Sequence, residues 1–106
     1  MKIGETVSDF GTTLTRWLEL VQAMVTQDFV RQFPNYPEDP PILSIDPNGK
    51  KYVRIVRKGS AYCFIDKTNG DILKAASWKA PAKGARGNIY AADPLAGVTP
   101  YGAVYR

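Results

Sequence analysis

With 106 residues, 44% apolar and 23% charged side chains and a formal net charge of +4, the chain has room for one domain with a modest core. It is too apolar for disorder and carries no apolar run of membrane-spanning length. One cysteine and no histidine exclude an intramolecular disulfide and remove most routes to structural zinc and to Cys-His or Ser-His-Asp catalysis, so neither metal nor cofactor is expected.

Phe10, Leu14, Trp17, Leu18, Val21, Met24, Val25 and Phe29 recur at spacings of three and four. This predicts an amphipathic helix over about residues 7–31, with Thr6 and Asp9 forming its cap and the segment Phe33-Pro34-Asn35-Tyr36-Pro37 ending it. The stripe is broad enough to cover a sheet and a neighbouring subunit, which points to a homo-oligomer. Residues 34–41 hold four prolines with Glu38 and Asp39 and read as an extended connector. The N-terminus lacks the apolar stretch and cleavage site of a secretory signal, and the default expectation is a cytosolic location without membrane association.

From residue 42 to 76 the pattern becomes β-rich. Ile42–Ile45, Tyr52–Arg57, Ser60–Ile65 and Ile72–Ala76 are strand candidates. They are separated by Asp46-Pro47-Asn48-Gly49, Lys58-Gly59 and Asp66-Lys67-Thr68-Asn69-Gly70-Asp71, and the two Asn-Gly steps among these suit the tight turns of an antiparallel meander. The expected architecture is α+β: one domain in which the long N-terminal helix packs on a three- to four-stranded antiparallel meander, followed by a basic loop at 77–88 and an irregular tail at 89–106. Alternation puts Val53, Ile55, Cys63 and Ile65 under the helix, and Arg54, Tyr62 and Phe64 on the opposite face. Cys63 reads as a small core residue, and Asp66 and Asp71 as turn caps.

Charge is unevenly divided. Residues 47–106 carry eleven Lys/Arg against three Asp/Glu, and residues 1–46 three against seven, so the second half favours anionic partners. The segment Ser77-Trp78-Lys79-Ala80-Pro81-Ala82-Lys83-Gly84-Ala85-Arg86-Gly87-Asn88 mixes cations, glycines and an aromatic ring. Lys79, Lys83 and Arg86 are candidate phosphate ligands, Asn88 a reader of a base or ribose edge, and Trp78, Tyr62 or Tyr90 a stacking surface. Gly84 and Gly87 would let the backbone approach a ligand. The spacing matches neither the P-loop nor the dinucleotide fingerprint. A second candidate is the strand pair carrying Lys51, Arg54, Arg57 and Lys58 beside Tyr62 and Phe64, in the manner of single-strand platforms.

The stretch from Ser60 to Asn88, which ends in Phe64-Ile-Asp-Lys-Thr-Asn-Gly-Asp-Ile-Leu-Lys-Ala-Ala-Ser-Trp-Lys-Ala-Pro-Ala-Lys-Gly-Ala-Arg-Gly-Asn88, resembles a motif of small uncharacterised orphan proteins of tailed bacteriophages and viral metagenomes. The resemblance implies a viral source. Phage proteins of this size include oligomeric sponges that sequester nucleotide immune signals. The expected function is therefore non-catalytic binding of a phosphorylated nucleotide, as a counter-defence sponge. The alternatives are a single-stranded DNA or RNA binder and a virion or host-protein interaction module.

Overall fold

The computed structural model describes residues 3–36, 40–47 and 49–104, with helix side chains from Phe10 onward. The expected Thr6 and Asp9 cap side chains, Pro37, Glu38 and Asp39 of the connector and Asn48 of the first turn lie outside the described residues. Helix α1 (Ile3–Gln32) runs for 30 residues, about 45 Å at the standard rise. It starts before the predicted Val7, which puts Thr6 inside the helix. Pro34 cannot continue it, and the chain leaves through a turn in which Tyr36 N–H donates to Phe33 O at 3.0 Å.

The strands are β1 (Leu43–Asp46), β2 (Tyr52–Arg57), β3 (Ser60–Asp66), β4 (Asp71–Ala75) and β5 (Pro81–Asn88). They form one antiparallel sheet in sequence order, so the α+β class holds with five strands rather than three or four. The additional strand is β5, which occupies most of the segment expected to be a basic loop. Pro81, lacking an N–H, sits at the first position of this edge strand, where proline is tolerated. Its glycines mark irregular pairing: Gly84 has φ of 90°, and the register with β4 shifts around Leu73. The tail is not wholly irregular either, because β6 (Val98–Thr99) and β7 (Gly102–Ala103) pair as a small hairpin.

One face of the sheet holds the core. Leu14, Trp17, Val21 and Val25 of α1 pack with Leu43, Val53, Ile55, Cys63, Ile65 and Ile72, and the four strand residues expected under the helix are all there. Gln22 fastens α1 to the edge of β1: its Nε2 donates to Pro41 O at 2.8 Å, and its Oε1 accepts from Leu43 N at 2.8 Å. Trp17, 1% exposed, donates from Nε1 to Pro94 O at 2.8 Å. The tail thus lies beside the helix and adds Ile89, Val98 and Ala103 to the same core.

Tyr62 corrects the alternation argument. Ile55 opposes Cys63 while Val56 opposes Ala61, so Tyr62 is the extra residue of a β-bulge, and at such a bulge adjacent side chains can share a face. Tyr62 and Cys63 both enter the helix-side core. Tyr62 is 3% exposed, and its hydroxyl donates to Thr99 O at 2.5 Å, anchoring the tail hairpin.

Candidate functional site

The opposite face is built by period-two geometry. Asp46 opposes Arg54, Arg54 opposes Phe64, and Phe64 opposes Leu73, so these side chains share a face, joined by Tyr52 two residues before Arg54. The turn between β4 and β5 is closed by Ala76 N and Ser77 N donating to Ala80 O, and it carries Trp78 back over this face. The Arg54 guanidinium carbon lies 4.3 Å from the Trp78 ring centroid and 5.7 Å from that of Phe64. Its Nε donates to Trp78 O at 2.7 Å, and its Nη1 pairs with the Asp46 carboxylate. Tyr52 meets Phe64 edge to face with centroids 6.3 Å apart, and Lys51 Nζ lies 5.5 Å from the centroid of Tyr52. Cation and ring contacts of this kind hold a planar guanidinium and an indole in one geometry.

Two hollows border this stack. Gly59, Ser60, Ala61, Ala75, Ser77 and Trp78 line one of about 350 Å³. The other, about 200 Å³, is lined by Gly49, Lys50, Lys51, Tyr52, Arg54, Phe64 and Lys79. Trp78 is 44% exposed and walls the first hollow. Lys50, Lys51 and Lys79 are exposed at the rim of the second. A larger hollow of about 430 Å³ lies under the tail hairpin, beside Lys74 and Tyr101.

The site residues expected from sequence divide into two groups. Arg54, Trp78 and Lys79 come together on the open face, whereas Lys83 is exposed on edge strand β5, three strands from the β2 of Arg54. Arg86 instead serves the fold: its Nε donates to Val104 O at 3.0 Å, and its Nη1 donates to Lys83 O at 2.7 Å and to Gly84 O. Asn88 donates to Asn69 O at 2.9 Å and Asp71 Oδ1 at 3.0 Å and accepts from Tyr90 N, joining two turns. Gly87 admits the tail rather than a ligand, since a Cβ there would run into the Ala96 carbonyl oxygen. Tyr62 is in the core, as described above. Tyr52 and Lys50 were not singled out from sequence, although Tyr52 stands two residues from Arg54 and so belongs to the same strand face.

The remaining reactive groups are quiet. Burial pushes the Cys63 thiol and the Tyr62 phenol well above their ordinary ranges, so neither ionises near neutrality. Asp66 caps its own turn, accepting from Thr68 N at 2.8 Å and Thr68 Oγ1 at 2.6 Å. Thr68 is the main cause that holds its carboxyl below the usual range. Among the described residues there is no group of three or more side chains able to hold a metal ion, and no helix is long and apolar enough to cross a membrane.

Residues 2–97 match the model of one protein family. The chain belongs to the family of unknown function DUF7717. No curated protein and no solved structure matches it. The family match takes in α1 and all five strands of the meander, including every residue of the open face, and stops at Gly97, just before the β6–β7 hairpin.

Proposed function

We propose that this protein binds a phosphorylated nucleotide ligand without transforming it, using the open face of the sheet. The observation that carries the reading is the Trp78–Arg54–Phe64 stack bordered by Lys50, Lys51 and Lys79. An exposed indole offers a surface for a base, and lysines at its edge offer charge for phosphate. Arg54 is committed to Asp46 and to the Trp78 carbonyl, so it stiffens the platform, and the phosphate contacts fall to the lysines. The buried, protonated Cys63 and Tyr62 supply no activated nucleophile, which favours binding over catalysis. In the phage setting that the Ser60–Asn88 motif suggests, such a binder would act in a host cell as a homo-oligomeric sponge for a nucleotide signal.

A thermal-shift screen against mononucleotides, cyclic di- and trinucleotides and short oligonucleotides tests this, because a ligand that binds only the folded state raises Tm. The expected result is stabilisation by at least one phosphorylated nucleotide, lost in Trp78→Ala. No shift with any member of the panel would sink the proposal. Light scattering on the same sample reads the oligomeric state.

A further inference from the structure

From the shape and charge of the open face we infer that its ligand is single-stranded nucleic acid, bound along β2 across both hollows. This rests on the nucleotide-binding reading above and adds to it the polymer, the path and a sacrifice of stability for charge at Lys58. At about 350 and 200 Å³, one hollow lies near the lower end of the range for sites that enclose a small molecule and the other below it. They lie on either side of one stack, with Trp78 in the wall of the first and Arg54 and Lys79 in the second. That arrangement provides successive shelves for bases rather than one enclosed chamber.

Cations mark the route. Lys50 and Lys51 precede β2 and Lys58 follows it, all exposed. The distance from Lys51 to Lys58 along an extended strand is about 23 Å, a path for about four nucleotides, the low end of known single-strand site sizes. The three carboxylates of residues 47–106 already have partners: Asp66 accepts from Thr68, Asp71 from Asn88 and Asp93 from Leu95 N, and Asp46 on the neighbouring strand is paired with Arg54.

Lys58 adds an independent sign. It has φ of 51°, followed by Gly59 at 78°, so the β2–β3 turn needs two residues in the left-handed region. Asn-Gly is the preferred pair there, and lysine is strained. Gly59 lines the first hollow, so the turn that carries exposed Lys58 borders it. A lysine standing where the turn favours asparagine is strain of the kind found at binding sites.

The test is fluorescence anisotropy with a labelled oligothymidylate of about eight nucleotides, its duplex form, and mononucleotide and cyclic dinucleotide competitors, at low and physiological salt. The expected result is preference for the single strand and affinity that falls steeply with salt. Trp78→Ala should weaken binding by about ten-fold or more. Lys58→Asn should weaken binding, reduce the salt slope by about 0.7 and leave Tm unchanged or higher, which separates loss of a contact from loss of fold. Tryptophan emission should change on binding in the wild type but not in Trp78→Phe, where buried Trp17 remains. Equal affinity for duplex, or full affinity in Lys58→Asn, overturns the inference. Tight binding of a small nucleotide with none of the oligonucleotide overturns it while leaving the proposed function standing. Failure of every ligand overturns both.

Discussion

Cys63 and Tyr62 show how one irregular residue in a strand reaches the chemistry of the molecule. The bulge turns two neighbouring ionisable side chains into the same apolar core, where burial disfavours their charged forms. An unfolded cysteine ionises near its ordinary value of 9.0 while the folded thiol stays protonated. Above that pH the unfolded state therefore binds fewer protons than the folded one, and stability falls as pH rises. Denaturant titrations should show a loss of about 1.4 kcal/mol per pH unit from Cys63 once its unfolded value is passed, a slope that Cys63→Ala should reduce. Asp66 works in the opposite direction. Its lowered folded value contributes stability above the ordinary carboxylate range that is lost as pH falls through the folded value, so acid unfolding of Asp66→Asn should be less steep.

Among the elements, β5 and α1 give glycines opposite roles. Gly87 lies where a Cβ would strike the Ala96 carbonyl, whereas Gly11 is exposed in the helix with nothing within 4 Å. Gly87→Ala should lift the tail from the sheet and cost about 1–3 kcal/mol, the scale of an overpacked site. Gly11→Ala should stabilise by about 0.5–1 kcal/mol through helix propensity and a less flexible unfolded chain. Urea midpoints of the two variants check both signs. The same two elements mark what could be read from sequence. The helix, the β2–β3–β4 meander and the inward set Val53, Ile55, Cys63 and Ile65 were legible because period and turn chemistry agree there. Strand β5 was not, because Ala-Lys-Gly-Ala-Arg-Gly has no alternation of apolar and polar residues, and its pairing comes from a neighbouring strand. The open-face site was half legible: Arg54, Trp78 and Lys79 stood out by type, while Arg86 and Asn88 looked equally suitable until their intramolecular partners were known.

Across the whole molecule, helix and tail share one face of the sheet and leave the other to side chains alone. The tail is held by two-residue strands and a few bonds from Trp17, Tyr62 and Arg86, whereas β2, β3 and β4 sit inside the ladder. Hydrogen exchange should therefore show the amides of Val98–Val104 opening well before those of Val53–Ile55 and Cys63–Ile65, in a step that costs less than global unfolding. Equal protection in both regions would mean that the tail and meander unfold as one unit.

The bulge at Tyr62 also bears on how length variation could enter this chain. Residues 63–66 keep one in-out phase and residues 60–61 the other, with a single residue absorbing the difference. Loss of that residue would restore strict alternation and leave Phe64 facing out and Ile65 facing in. The meander and its open face could survive such a deletion, with the inward phenol and its hold on the C-terminal hairpin lost. A one-residue deletion at Phe64 has no such outlet, because it would invert the facing of part of the strand. Natural length variants of β3 should accordingly collect at the bulge and coincide with altered or missing C-terminal hairpins.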